Sequence, residues 1–553
     1  MSCIKITKKI ILLLVCLTTF FLSFMCFPNQ TKADVKRTIV AFDKENAYSY
    51  IKNIECKIDE KKEAVTFRFE FGEEIPRTDD AYIYLFEFST YEKEKLSENC
   101  IPVGKALKDK EVFLNVKYED RFLFSRFVPA ILHDGNYYAL SDGKYISNPE
   151  ILASNTSSPI QIESKKGILF DANTIDKDEF YDLQVKRVAY NIPLSYIIGD
   201  SENKDAPTIE YEYNGEIYHF NGYLCAGFDS LFSYLTSEGV HCTAIILNDW
   251  NRKHLEIIHP KSRTRTRQSM YYAFNTAEED GVRLMEATAK FLAERYSGGE
   301  YGLVSDWVLA NEINQQAIWN YMATDDLDYY TDSFEKSFRT FYNAIKSNYS
   351  NAKVYFSIDH DWNDNYGNNE KFFNGRDLLY KFNTYANRGG NYDWSLAIHP
   401  YPAPLTRVRF WKAYNDKTEK ASVVTPMNLS AVTEVLKKDE FLDSNGDVRN
   451  ISVTELGFSS RAGEKLQAAA FAYSYYIIEN NEYISSYLLN RETDDKGALK
   501  SGLALGIYNN DYSPKYIKDV FKNIDSEEGK KYIPEMLDII GSGSLEEALS
   551  WAE

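Results

Sequence analysis

The 553-residue chain is too long for one ordinary domain, and its 44% hydrophobic and 26% charged residues describe a folded, soluble protein and exclude a disordered one. Lys+Arg 63 against Asp+Glu 82 gives a formal charge of −19. A field of that sign repels nucleic acid and anionic membrane surfaces and disfavours a polyanionic substrate.

Residues 1–33 read as an export signal. Lys5, Lys8 and Lys9 precede an apolar run from Ile10 to Phe27, and Thr31-Lys32-Ala33 offers small residues for cleavage before Asp34. A retained anchor is the rival reading, because the run is close to the lower length limit for a span. Phe24 and Met25 are too bulky for the lipoprotein signal that Cys26 would otherwise suggest. The mature protein is expected to be secreted, with no membrane insertion once the signal is removed. Cys56, Cys100, Cys225 and Cys242 then remain, in no metal-ligand spacing. Three disulfide pairings or free buried thiols all fit them.

Residues 34–164 read as an N-terminal β-sandwich-like accessory domain. Val65, Phe67, Phe69 and Phe71 alternate with Thr66, Arg68 and Glu70, the period of a half-buried strand. Tyr82 to Phe88 is apolar on both faces, Val112 to Val116 alternates again, and Asp134-Gly135-Asn136 marks a turn. Carbohydrate binding, packing and spacing are the candidate roles of this unit.

Residues 165–553 alternate strand and helix. The expected strands are Val188–Ile192, Thr243–Leu247, a short Tyr271–Phe274, the VSDWVLANE run ending near Glu312, Val354–Ile358, Trp394–Ile398, ISVTE from Ile451, and Ile484–Leu489. Helical faces lie between them, as in Val282, Met285, Ala289 and Leu292, or Phe334, Phe338, Phe341 and Ile345, and Pro514 opens a helical tail. Eight strands alternating with helices predict an α/β fold, a (β/α)8 TIM barrel. A doubly wound sheet would show a Gly-rich phosphate turn, and neither G-x-G-x-x-G nor G-x-x-x-x-G-K-[ST] occurs.

The C-terminal ends of these strands carry Asn191, Asn248, Asn311, Glu312, Asp359, His360, His399, Tyr401, Glu455 and Arg491. A single Asn or Asp there is explained as a turn residue. Two glutamates at strands four and seven are not, because those strands face one another across a closed barrel's mouth. Glu312 and Glu455 are therefore the candidate pair of carboxylates that converge on one bond.

Asn311-Glu312 on strand four, His399-Pro400-Tyr401 after strand six and Glu455 in ISVTELGF together resemble the signature of the clan A retaining glycoside hydrolases, (β/α)8 enzymes. The order KKGILF, YAFNTAEEDGV, DWVLANEIN, YFSIDHDW, AIHPYP, VTELGFSS, LLNRETDD and GLALGIYNND is similar to a family of exported bacterial barrel proteins grouped with glycoside hydrolases under a domain-of-unknown-function label. The resemblance spans roughly Lys165 to Lys522. It implies cleavage of O-glycosidic bonds of a poly- or oligosaccharide by double displacement. Glu312 would be the acid/base, Glu455 the nucleophile, and Asn311 the donor to a sugar 2-hydroxyl. Tyr401 matches the aromatic position near the nucleophile. Arg491 is equally a partner of Glu455, a substrate ligand or a structural ion pair, and His399 a sugar ligand or a loop support.

Asn191, Asn248, Asp359, His360 and Trp362 complete the expected substrate-binding set, with Trp250 and Trp411 as further stacking candidates against a core-packing rival. Asp359-His360-Asp361 is read as sugar contacts ahead of a cation site, and Asp443 to Asp447 lacks the closing Glu of a calcium loop. No metal or cofactor is expected. The acidic charge and the 42 tyrosines lean towards a neutral polysaccharide. A transglycosylase on the same site and a non-catalytic carbohydrate-binding protein are the alternatives.

Overall fold

The computed structural model describes residues 38–97, 99–170, 181–200, 207–368, 370–413 and 415–552. Eight parallel strands form a closed barrel: β1 (Lys166–Leu169), β2 (Arg187–Pro193), β3 (His241–Leu247), β4 (Asp306–Leu309), β5 (Lys353–Asp359), β6 (Ser395–His399), β7 (Ile451–Leu456) and β8 (Ile484–Leu489). Ile168 pairs with Val188 on one side and with Leu489 on the other, which closes the cylinder. Strands such as β3, HCTAIIL, are buried along their whole length because one face fills the lumen and the other meets helices. Ala189, Ile245, Leu247, Val308, Tyr355, Ala397 and Leu488 pack inside the barrel.

The strand count of eight holds, but its first three members shift. KKGILF supplies β1, where Lys166 is buried and its Nζ is held by Asp525 Oδ1 and the Lys522 carbonyl, both at 2.9 Å. Tyr271–Phe274 is not a barrel strand. It forms only isolated bridges, with Asp249, Ile258 and Tyr321, inside the loop after β3. Strands four to eight keep their expected ordinals.

The outer ring is α1 (Gly222–Ser237), α2 (Glu279–Arg295), α3 (Leu327–Lys346), α4 (Gly375–Arg388), α5 (Ser430–Leu436) and α6 (Glu464–Glu479). The phenylalanines of α3 recur at helical spacing, and Phe338 sits with ring centroids 5.6 Å from Phe356 of β5 and 5.3 Å from Phe382 of α4. Each such side chain contributes about 1.5–3 kcal/mol by leaving water. Three shorter helices, Ile517–Asn523, Ile533–Ile540 and Leu545–Ser550, form the tail. A hairpin, Thr208–Tyr213 with Glu216–Asn221, interrupts the β2-to-α1 connection; its Asn214-Gly215 turn has φ of 53° and 81°, the backbone that this dipeptide favours.

Ahead of the barrel, a three-stranded sheet (Ile51–Asp59, Ala64–Phe71, Glu111–Lys117) faces a four-stranded one (Gly104–Leu107, Tyr82–Phe88, Arg126–His133, Asn136–Ala139). Val65, Phe67, Phe69 and Phe71 meet Ile83, Leu85, Phe127 and Ile131 between the sheets, as the alternation required. Tyr84, Phe86 and Phe88 pack on the other face of the second sheet, so Tyr82–Phe88 is indeed buried on both sides. The unit docks on α3 and α4. Asn343 Nδ2 donates to the Leu123 carbonyl at 2.7 Å, Tyr145 N to that of Gly389 at 2.9 Å, and Arg388 pairs with Asp142 at 2.6 Å. Cys56, Cys100, Cys225 and Cys242 are free thiols. The export-signal reading lies outside the described residues, among which no helix is long and apolar enough to cross a membrane.

Candidate active site

Beyond β4 the backbone turns left-handed at Ala310 (φ 63°) and Glu312 (φ 36°). Such conformations cost non-glycine residues on the order of 1–3 kcal/mol each and persist where surrounding contacts fix them. Here the Glu312 N–H donates to Ser357 Oγ at 2.9 Å and the Ile313 N–H to the Ser357 carbonyl at 3.0 Å, pinning the turn to β5. The turn brings the Glu312 carboxyl against β6 and β7.

On β7 the lumen parity places Ser452 and Thr454 inward. The register with β8 slips between Val453 and Leu456, a bulge that adds one residue to β7. An extra residue re-aims its neighbour, and Glu455 joins Thr454 on the mouth side. His399, two residues past lumen-facing Ala397, comes between the glutamates. Its Nδ1 is 2.8 Å from Glu312 Oε1 and 3.3 Å from Glu455 Oε2, while Nε2 is 3.0 Å from Thr454 Oγ1. The donor atoms of Glu312, His399 and Glu455 all lie within 4.8 Å of one another.

Asn490, two residues past lumen-facing Leu488, completes the opposite side. Its Nδ2 donates to the Tyr401 hydroxyl at 2.7 Å and to Glu455 Oε1 at 3.1 Å. Burial holds the His399 imidazole below its ordinary range despite Glu455 and Asp359, so the ring is neutral with one proton to place. With Glu312 ionised, Nδ1–H donates to a carboxylate and Nε2 accepts from Thr454. With Glu312 protonated, its O–H donates to Nδ1 and the ring proton moves to the Thr454 side.

The two carboxyls sit in different surroundings. Burial, first, and then the charges of Asp359 and Asp361 push Glu312 well above the usual carboxylate range, against the opposing pull of His360 and of a hydrogen bond from Trp319. Burial and Glu312 also raise Glu455, but the Arg491 charge opposes the rise. The Glu455 side chain is 22% exposed against 12% for Glu312. A single proton shared by the pair therefore resides on Glu312.

A buried polar layer backs Glu312. Gln315 Nε2 donates to Asp359 Oδ2 at 2.7 Å and to Asp361 Oδ2 at 2.6 Å, and Asn314 Nδ2 donates to Asp359 Oδ1 at 2.5 Å. Tyr366 OH reaches Asp361 Oδ1 at 3.2 Å. Burial and Asp359 raise the Asp361 carboxyl as well.

Of the expected site residues, Glu312, Glu455, His399, Tyr401 and Arg491 come together, Asn311 is half-buried next to Glu312, and Asn191 is exposed on the lumen side of β2. Four others differ. Asn248 is turned outward and buried, its Nδ2 on the Ala273 carbonyl at 3.3 Å, so it ties the β3 loop rather than facing the mouth. Trp362 is 0% exposed and its indole N–H donates to the Glu419 carbonyl, which makes it core. Asp359 and His360 are buried in the layer behind Glu312, where Asn314 and Gln315 donate to the Asp359 carboxylate. Trp411 packs on Phe410 and Tyr473.

Asp359, His360 and Asp361 also have the donor types and spacing of a cation site. The Gln315 amide, however, already donates into both of its carboxylates. Thr454, Asn490, Gln315, Trp319 and Tyr271 were missed in the sequence. The Tyr271 and Trp319 rings stack 5.8 Å apart beside the pair, an aromatic wall supplied by two loops. Asn490 alone had a usable signal, the parity that follows from Leu488.

The profile of a family of unknown function, DUF5722, matches residues 158–548. Curated protein sequences give no match. Among solved structures the chain is similar to a family 39 glycoside hydrolase from the gut symbiont Bacteroides cellulosilyticus WH2, at 14% identity over 87% of this chain and 80% of that one, TM-score 0.42. It is also similar to a hyperthermophilic β-glucosidase from Pyrococcus furiosus (15% identity, 68% and 85% covered, TM-score 0.42). A third is a β-D-glucuronidase from Dictyoglomus thermophilum (12% identity, 86% and 68% covered, TM-score 0.34). The barrel itself stands on its own strand order and register.

Proposed function

The chain belongs to the DUF5722 family, a family of unknown function, and for this member we propose a retaining glycoside hydrolase in which Glu312 is the acid/base and Glu455 the nucleophile. The observation that carries the reading is the convergence of two glutamates, buried Glu312 after β4 and half-buried Glu455 on β7, to within 4.8 Å. Retaining enzymes hold their carboxyls about 5–5.5 Å apart, whereas inverting ones leave about 6.5–9.5 Å for a water.

In the first step Glu455 Oε attacks the anomeric carbon and forms an ester as the glycosidic C–O bond breaks. The proton of Glu312 passes to the leaving oxygen. In the second, a water gives its proton back to Glu312 and its oxygen replaces Glu455 at the same carbon. The proton site of Glu312 is thus emptied and refilled once per turnover, and neutral His399 follows by changing which nitrogen donates. Asn490 and Tyr401 hold Glu455 in line, Asn311 donates to the 2-hydroxyl, and Tyr271 with Trp319 offers a ring face to the sugar. Action outside the cell, after loss of residues 1–33, is part of this reading.

The test is sugar release from a panel of plant, algal, microbial and host glycans by the wild type, Glu312→Gln and Glu455→Gln. Release by the wild type, reduced at least 1,000-fold in Glu455→Gln, is expected. Undiminished release by Glu455→Gln refutes the assignment.

A further inference from the structure

The charge of −19 conceals a local reversal at the barrel mouth. The loop that follows β3 carries, between Trp250 and Met270, Arg252, Lys253, Lys261, Arg263, Arg265 and Arg267 against the single carboxylate of Glu256. Loops after barrel strands line the mouth. Within this one the cations divide into two groups.

Some hold the loop in place. Lys253 pairs with Asp200, Arg263 donates to the Leu255 and Ile258 carbonyls and pairs with Glu278, and Lys261 lies 4.1 Å above the Tyr329 ring. Arg252, Arg265 and Arg267 are exposed and have no ion pair among the described residues. The fold does not use them.

Their segment is tied to the catalytic pair. Thr266, between Arg265 and Arg267, bonds Ser269 Oγ at 2.5 Å, and Ser269 Oγ donates to the Ala317 carbonyl at 2.9 Å. Ala317 lies in the same short turn as Trp319, which donates to Glu312. Tyr271 of the aromatic wall follows Arg267 by four chain steps, a reach of at most about 14 Å. The Arg265 charge is also felt at the Tyr272 hydroxyl.

We propose that Arg265 and Arg267 form a rim subsite for an anionic sugar unit, so that the substrate is a carboxylated or sulfated glycan rather than a neutral one. The proposal rests on the reading of the site as glycan-cleaving. Guanidinium groups match planar carboxylates and sulfate esters by paired N–H donors. The anionic unit sits at the rim and not in the ring being cleaved, because the carboxylates of Glu455, Asp359 and Asp361 would repel a charge placed there. Net protein charge governs long-range approach and is screened beyond roughly 8 Å at physiological salt, whereas the arginine contacts act inside that distance.

The test is binding to full-length Glu455→Gln, which separates recognition from turnover. The probes are oligogalacturonides for the carboxylate, carrageenan oligosaccharides for the sulfate ester, and cello-oligosaccharides for the neutral case, by calorimetry at 50 mM salt. The expected result is at least tenfold tighter binding of one anionic probe than of the neutral one, abolished by 0.5 M salt. Arg265→Ala/Arg267→Ala should lose about 10–100-fold for that probe, Arg265→Lys/Arg267→Lys less, with unchanged neutral binding and unchanged thermal unfolding. Neutral binding equal to or tighter than both anionic probes, or anionic affinity kept in the double alanine variant, overturns the proposal. Anionic binding with no cleavage of the same glycan by wild type would instead refute the hydrolase reading and leave the subsite standing.

Discussion

Replacing Asp361 by Asn removes one negative charge from behind Glu312 while keeping its shape. The groups that face Glu312 are Asp359, His360 and Asp361 from β5 and its loop, His399 and Tyr401 from β6, Glu455 from β7, and the Trp319 N–H. A unit charge 5–10 Å away at an effective dielectric near 20 is worth about 1.7–3.3 kcal/mol, or roughly one to two pH units. Asp361 is itself raised, to about 6, but stays below Glu312 at about 8, so it is charged when Glu312 ionises and at least the lower end applies. Glu312 is needed as an acid, so its ionisation ends activity on the alkaline side. Asp361→Asn should therefore move the alkaline limb of the kcat/KM–pH profile about one unit to lower pH and leave the peak rate within about threefold. The assay is initial rates across pH 4 to 10 on whichever glycan the panel identifies. An alkaline limb that stays in place, or moves up, refutes the claim that this carboxylate layer sets the proton affinity of Glu312.

Three further outcomes are expected. Glu312 keeps a proton in the folded state that the unfolded chain gives up above its ordinary range, so its contribution to stability is full at low pH and is lost as pH rises through the folded value. Glu312→Gln should be more stable than wild type by about 1–3 kcal/mol at pH 8 and equal to it at pH 4, by urea unfolding. Asn490→Ala removes the donor shared by Glu455 and Tyr401; kcat should fall about 10–100-fold with little change in KM or unfolding temperature. Phe338→Ala, at the junction of α3, β5 and α4, should cost about 3–5 kcal/mol in denaturant unfolding, with activity retained in the folded fraction.

The barrel was legible because most of its strands are buried on both faces, which leaves uninterrupted apolar runs such as those of β3 and β5. It failed at β1, a four-residue strand opened by a lysine whose partner, Asp525, lies about 360 residues away. The Tyr271 segment failed the other way: its aromatics gave the signature of a strand, yet they serve a loop wall against Trp319. Glu312 and Glu455 were visible as carboxylates that terminate buried runs. The geometry that makes them a pair was not, since it depends on left-handed turns at Ala310 and Glu312 and a bulge in β7, and neither leaves a mark in composition. Trp362 and Asn248 misled because position after a strand gives the rim but not the side of the sheet. Lumen parity, read from Leu488, would have singled out Asn490 before Arg491.

The central claim is double displacement on Glu455, and the anomeric configuration of the first-formed product tests it most directly. Proton NMR during the first minutes of wild-type turnover, before mutarotation, should show the configuration of the bond that was cut. An inverted first product would contradict the mechanism even if Glu312 and Glu455 both proved essential.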